Sequence, residues 1–118
     1  MPTPAESTTG QLDERFANKF KDVVTETTTA RTVGLSDADK FIVCSNASAV
    51  TLTIPESTTT AGKVFPIGTV ITAFAKGAGG VTWAKTGSDT LTGTATAAQN
   101  ICRSVIKVAA TEWVAFVA

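Results

Sequence analysis

Hydrophobic and polar residues alternate along most of the chain from residue 35 onward. In AVTLTIP, residues 49–55, the valine, leucine and isoleucine share one face and the threonines share the other. A two-residue period is typical of a β-strand with one buried face, and Pro55 ends the strand because it cannot donate to a sheet. FPIGTVITAFAKG, residues 65–77, repeats the alternation.

The spacing of these stretches predicts the fold class. Six or seven short strands recur about every 8–12 residues between Gly, Ser, Asp and Asn, which favours a small antiparallel β-sandwich or barrel over residues 35–118. The glycine-rich AKGAGGVTW, residues 75–83, lacks the spacing of a nucleotide-binding loop. We interpret it as a hairpin turn.

Residues 1–34 are predicted to form an extended arm before this all-β domain. The first eight residues are rich in proline, threonine and serine, a composition typical of a flexible segment. Apolar residues then recur at helical spacing and predict a short amphipathic helix over about residues 10–24. The threonine-rich stretch 25–34 is predicted to be a tether. The apolar stripe of the helix consists of Leu12, Phe16, Phe20 and Val23 or Val24.

Two apolar features need something to pack against. An isolated helix of this length is marginal in water, so its stripe packs either on its own β domain or on another subunit or protein. The C-terminal stretch EWVAFVA is aromatic and nearly free of charge, so it is either a central strand of its own sheet or is covered at a subunit interface. The candidate residues for subunit or partner contact are Leu12, Phe16, Phe20, Val23, Trp113 and Phe116.

Composition narrows the function classes. The chain has ten basic and ten acidic residues, so its zero net charge does not favour nucleic acid or an anionic membrane as a partner. It has no histidine and no tyrosine, which excludes Ser-His-Asp and Cys-His catalysis. We therefore expect no enzyme, no cofactor and no metal site. The 22 threonines suit strands whose outer face is wettable without charge.

The two cysteines, Cys44 and Cys102, are too few for a disulfide framework. Two free thiols, small and buried, are the first interpretation, since free cysteine is among the residues most often found inside proteins. A bridge between them is the alternative, and it requires neighbouring strands.

The order of turns and strands carries a resemblance. LSDADKFIVCSNASAVTLTIPES, then FPIGTVITAFAKGAGGVTWAKTGSDTLTG, then VIKVAATEWVAFVA resembles a β module of bacteriophage virion proteins, including head and tail fibres and capsid decoration (cement) proteins. The resemblance covers residues 35–118. It implies a non-enzymatic structural protein that is commonly trimeric.

A single module with an arm fits a cement protein best. That role implies a homotrimer that binds and stabilises the major capsid protein shell. The protein would lie on the capsid surface of the virion after synthesis in the host cytoplasm. A head fibre, tail fibre or baseplate component is the first alternative. A carbohydrate-binding module is the second, with Trp83 and Trp113 stacking on sugar rings. A chain that begins at Leu35 is expected to fold but to bind capsids poorly.

Overall fold

The chain is mostly β-strand and is arranged in two sheets. The structure, a computed structural model, describes residues 20, 22–56 and 65–117. These residues contain no α-helix, and a short 3-10 turn covers Leu35–Asp37. The strands are β1 (Val23–Glu26), β2 (Ala30–Thr32), β3 (Phe41–Cys44), β4 (Val50–Ile54), β5 (Val70–Ala75), β6 (Val81–Lys85), β7 (Thr90–Thr92), β8 (Thr96–Ala97), β9 (Cys102–Ala109) and β10 (Glu112–Phe116).

Successive strands are placed alternately in the two sheets. The six-stranded sheet has the order β1-β3-β5-β9-β10-β7, and the four-stranded sheet has the order β2-β4-β6-β8. The chain therefore winds through three coils, β1–β2, β3–β4 and β5–β6, and each coil pairs in parallel with the next. This winding is that of a short β-solenoid.

The expected antiparallel arrangement is wrong. Five of the eight strand pairings among the described residues are parallel. The predicted hairpin around residues 75–83 is wrong for the same reason, because its two strands, β5 and β6, lie in different sheets. A turn that crosses between sheets needs the same small residues as a hairpin, so local sequence does not distinguish the two.

The crossing turns stack on one another and select glycine. The amide nitrogen of Gly79 donates to the Asn46 carbonyl at 3.2 Å, and the Asn46 side chain donates to the Thr27 carbonyl at 2.7 Å. A Cβ on Gly79 would lie 2.0 Å from the carbonyl carbon of Ser48, and one on Gly77 would lie 2.2 Å from the Asn46 oxygen. Only glycine permits this close approach of the backbones.

The C-terminal strands β8–β10 do not continue the parallel coils. β8 and β9 pair antiparallel with β6 and β5, and β9 continues into a hairpin with β10. β10 is paired on both sides because it lies between β9 and β7. The prediction that the C-terminal strand is a central strand of its own sheet is confirmed.

One core lies between the two sheets. Ile42 and Ile71 contribute from the six-stranded sheet, and Leu52 contributes from the four-stranded sheet, all with no exposed surface. Trp83 and Trp113 are 2% and 0% exposed. Each fully buried side chain of this size stabilises the fold by roughly 1.5–3 kcal/mol.

The N-terminal boundary of the fold differs from the prediction. Val23 and Val24 lie in β1 and do not end a helix; the rest of the predicted helix, apart from Phe20 and Asp22, lies outside the described residues. The predicted tether is wrong as well, because β1 and β2 form the first coil and Val33 is 1% exposed. The β fold therefore begins near residue 22 and not at residue 35.

An ion-pair cluster closes the N-terminal end of the core. Glu26 and Arg31 occupy inward-facing positions, in register with the buried Cys44 and Leu52 of the next coil. Arg31 donates to Glu26 Oε1 at 3.0 Å and to Asp37 Oδ1 at 2.7 Å. The core thus ends on paired charges, and among the described residues no further strand pairs with the outer edge of this coil.

Replacing Glu26 by glutamine should destabilise the protein by about 1–2 kcal/mol at pH 7, and the loss should shrink as the pH falls. A hydrogen bond from the Thr28 hydroxyl lowers the pKa of Glu26 below 4.5; burial opposes this, and Arg31 adds to the lowering. The contribution of the carboxylate is therefore complete above about pH 4.5 and disappears as the pH falls through the lower folded-state pKa.

Urea unfolding, followed by tryptophan fluorescence between neutral pH and about pH 3, measures this difference. Thr28→Ala is the matched variant, because it removes the hydroxyl that lowers the pKa of Glu26 most and should reproduce part of the effect. A difference between Glu26→Gln and wild type that stays constant with pH would contradict the assignment.

Candidate interaction surface on the six-stranded sheet

The two sheets present outer surfaces of opposite character. Alternation and register place small residues outward on the four-stranded sheet, with no aromatic or charged residue among them. This confirms the prediction of a wettable, threonine-rich outer face for one sheet. The outward positions are Ala30, Thr32, Thr51, Thr53, Thr82, Ala84 and Thr96.

The outer surface of the six-stranded sheet is apolar and aromatic. We call the outward-facing positions of β3, β5 and β9, with Val114 and Phe116 of β10, the outer face, and none of these carries a charge. Glu112, at the start of β10, lies on the same side of the sheet and is charged. Three phenylalanines, four valines and one isoleucine dominate the outer face. Its members are Phe41, Val43, Val70, Thr72, Phe74, Cys102, Ser104, Ile106, Val108, Val114 and Phe116.

The cations of β9 lie on the inward side of that strand. Arg103 and Lys107 lie at inward positions, where Arg103 Nε donates to the Thr96 carbonyl at 3.1 Å. Lys107 Nζ donates to the Phe65 carbonyl at 2.8 Å, and the residue is 3% exposed. The ammonium group of Lys107 is therefore satisfied inside the fold, whereas Arg103 is only partly buried.

Aromatic rings form a continuous row across the outer face. Phe41 and Phe74 stack with centroids 6.2 Å apart, and Phe20 meets Phe41 edge-on at 5.1 Å. On the β9–β10 side, Val108 is 43% exposed and Phe116 is 36% exposed. Val117, which follows β10, is 68% exposed. An apolar surface of this kind is characteristic of an interaction site.

A cleft of about 220 Å³ opens on this face. Its walls include Phe20 and Val70, Phe116 closes the far side, and Asp39 stands at its rim. Strand register explains the cleft. The residues paired across β3, β5, β9 and β10 at this level are Phe41, Thr72, Ser104 and Phe116. A bulky residue at each end and small ones between them leave a depression.

Thr72 lines the cleft, and its hydroxyl is already satisfied by the neighbouring Ser104. Thr72 and Ser104 are the two small residues, and their hydroxyl oxygens lie 2.8 Å apart in a hydrogen bond. They are 2% and 0% exposed. Since the hydroxyls bond to each other, an apolar group can cover them without leaving a buried polar group unpaired.

The outer face gathers some of the predicted contact residues. Phe20 and Phe116 line the cleft, and Val23 lies beside Phe41 on β1 at 60% exposure. Trp113 is instead inside the core, where its ring meets Phe65 edge-on at 5.4 Å. Leu12 and Phe16 lie outside the described residues.

Sequence reasoning missed most of this surface. The available signal was a set of strands with apolar residues on both faces, such as FIVC at residues 41–44 and VITAFA at residues 70–75. Strands of this kind are typical of a sheet covered on both sides. The four-stranded sheet covers only one side of these strands.

The thiols lie on opposite sides of the six-stranded sheet. Cys44 is buried on the inner side, and Cys102 lies on the outer face beyond β5, so the predicted alternative of a bridge is wrong and both are free. Burial raises the pKa of Cys44 to about 11 and also raises the pKa of Cys102. Both thiols are therefore protonated at neutral pH.

Other kinds of site find little support. Trp83 and Trp113 are buried in the core, so neither ring is available to stack on a sugar. Within the described ranges, no group of three or more Cys, Asp or Glu is placed to hold a metal ion. The same part of the chain has no helix long and apolar enough to cross a membrane.

Comparisons with protein families, with characterised proteins and with solved structures find no match for this chain.

Proposed function

We propose that the protein is a non-enzymatic structural component of a bacteriophage virion, and specifically a capsid decoration protein. In this role it forms a homotrimer that binds the major capsid protein and stabilises the shell. The observation that carries the proposal is the apolar, aromatic outer face of the six-stranded sheet. The resemblance of residues 35–118 to virion β modules supplies the biological setting.

The outer face suits permanent association with protein. Burial of apolar surface stabilises a complex by roughly 25 cal/mol per Å², and charge on this side of the strands is limited to Glu112 at the start of β10. The exposed strip at Val108, Phe116 and Val117 is the part most open to a partner. Apolar side chains dominate this side, which favours a protein partner over a polar ligand.

The threonine-covered outer surface of the four-stranded sheet complements this role. It is wettable and uncharged, so one side of the molecule associates while the other faces water. In a decoration protein, the apolar side would meet neighbouring subunits and the threonine side would form the exterior of the particle. Three copies closing a ring would remove the apolar strip from solvent.

Sedimentation equilibrium tests the assembly. We expect a particle with three times the 12.1 kDa mass of the chain at micromolar concentration, and a monomer when Val108→Lys and Val117→Lys place charge on the exposed strip. Thr51→Lys together with Thr53→Lys is the matched control, since the pair adds the same charge to the opposite sheet and should leave the trimer intact. A wild-type monomer, or a trimer that survives both lysines, would contradict the proposal.

Antibody labelling of virions tests the location. Gold label over the shell, seen by negative-stain microscopy, is the expected result for a decoration protein. Label confined to the tail would reject capsid decoration and favour the fibre or baseplate alternative. Virions without label would reject a virion role altogether.

A further inference from the structure

We propose that residues 11–19 dock on the outer face of their own chain, with Phe16 filling the cleft between Phe41 and Phe116. The cleft would then be an intramolecular site for the apolar stripe that the sequence places at Leu12, Phe16 and Phe20. This inference does not depend on the virion role, because it rests on the cleft, its chemistry and the point at which the described chain begins.

The position of Phe20 brings the segment to the cleft. Phe20 is the first described residue, it lines the cleft, and its ring contacts Phe41 at a centroid distance of 5.1 Å. The stripe residue is therefore already seated on the outer face. Residues 11–19 continue from that point, so they are held beside the cleft by the chain itself.

The length of the segment matches the width of the outer face that it would cross. At about 1.5 Å per residue, a helix places Leu12 about 12 Å from Phe20 and places Phe16 midway between them. The row from Phe41 on β3 to Phe116 on β10 crosses three strand spacings of about 4.8 Å, or about 14 Å. A segment that starts at Phe20 can therefore cross the cleft in two turns, with Phe16 lying over it.

The chemistry matches as well. The cleft is lined mainly by apolar side chains, and the hydroxyl of Thr72, which also lines it, already bonds to that of Ser104 at 2.8 Å. A phenyl ring suits this environment, because it needs no hydrogen bond from the cleft. Asp39 at the rim favours a cation nearby, and Lys19 directly precedes Phe20 in the sequence.

The chain's own segment has an advantage over that of a second copy. Covalent attachment beside the cleft gives the segment an effective concentration in the millimolar range, well above that of a free protein at micromolar concentration. Docking of residues 11–19 would cover the β3–β5 side of the outer face and contact Phe116, and it would leave Val108 and Val117 of the exposed strip free. The docked segment and these two valines would then be separate surfaces.

Crosslinking to the native thiol of Cys102 tests the proposal. Cys102 lies on the outer face two residues from Ser104, whereas Cys44 is only 1% exposed. In full-length Ala17→Cys, a short bis-maleimide should join position 17 to Cys102 within one chain. Peptide mass mapping identifies the link, and non-reducing electrophoresis shows whether the product is a single chain.

Two controls make the result decisive. In the first control, Cys102→Ser and Thr51→Cys are added to Ala17→Cys, which moves the acceptor thiol to the opposite sheet. The yield of the intramolecular crosslink should then fall about tenfold. In the second control, Phe16→Ser is added to Ala17→Cys, and it should lower the crosslink yield similarly. Unchanged tryptophan emission verifies that each variant is folded.

Equal yields at the two acceptors, no effect of Phe16→Ser, or absence of any link would overturn the proposal. A linked dimer whose share grows with concentration would assign the cleft to a second copy, also overturning it. None of these outcomes bears on the lysine variants of the exposed strip, so the two proposals fail separately.

Discussion

A chain that begins at Leu35 should fail to fold, although the sequence pattern predicts that it folds. The truncation removes β1, β2 and the buried Val33, and it exposes the edge of the next coil, including the fully buried Ile42 and Leu52. Losing the burial of each such side chain costs roughly 1.5–3 kcal/mol.

The truncation also removes the cation that pairs with a buried carboxylate. Arg31 contacts Asp37 at 2.7 Å, and the Asp37 side chain is only 3% exposed. An unpaired buried charge costs about 3–5 kcal/mol. Together with the lost burial, this loss is of the same order as the roughly 5–15 kcal/mol by which most domains are stable.

The matched control is a chain that begins at Phe20 after an initiating methionine, which keeps every described strand. It should unfold cooperatively in urea, with the blue-shifted emission of buried Trp83 and Trp113, whereas the chain from Leu35 should show the emission of exposed tryptophan without denaturant. Circular dichroism should report the same contrast. If both chains unfold at the same urea concentration, the first coil is not part of the cooperative fold.

The sequence predicts strand faces well because a face depends on local alternation. Val50, Leu52 and Ile54 are buried as the pattern requires, and Thr51 and Thr53 point outward. It does not predict strand partners, because alternation is the same in parallel and antiparallel pairs. The direction of pairing depends on whether a turn returns to the same sheet or crosses to the other, which is a property of the whole fold.

A weak repeat in the sequence was the available signal for the parallel coils. Phe41 pairs with Thr72 and Val50 pairs with Val81, and the sequence offset is the same in both sheets, so residues 41–54 and 72–85 superpose without a gap. Few of the aligned residues are identical. The small residues of the two crossing turns, SNASA and KGAGG, are the clearest shared feature.

The first coil is harder to recognise. Its crossing turn is shorter than the next one, and its inward positions include Glu26 and Arg31, which resemble surface residues in the sequence. Short strands with charged inward residues lack the alternation on which prediction depends. The interaction surface was difficult for a related reason, since it joins residues from four strands whose order the sequence does not reveal.

Truncation to alanine should lower the free energy of unfolding by very different amounts at two aromatic residues of β10. Trp113 is fully buried and meets Phe65 edge-on, so Trp113→Ala should destabilise the protein by about 3–5 kcal/mol. Phe116, three residues later, lies on the outer face at 36% exposure, so Phe116→Ala should cost about 1 kcal/mol or less.

Urea unfolding, followed through the remaining Trp83 in the first variant and through both tryptophans in the second, gives the two free energies of unfolding. Trp113→Phe is the matched control. Among the described residues, Trp113 Nε1 has no hydrogen-bond partner, so phenylalanine loses volume without breaking a bond and should cost less than alanine. Equal losses at positions 113 and 116 would mean that the outer face is packed as tightly as the core, and that the surface is already covered within the chain. A large loss at 113 alone would place the stabilising contacts of β10 on its inner side and leave its outer side for binding.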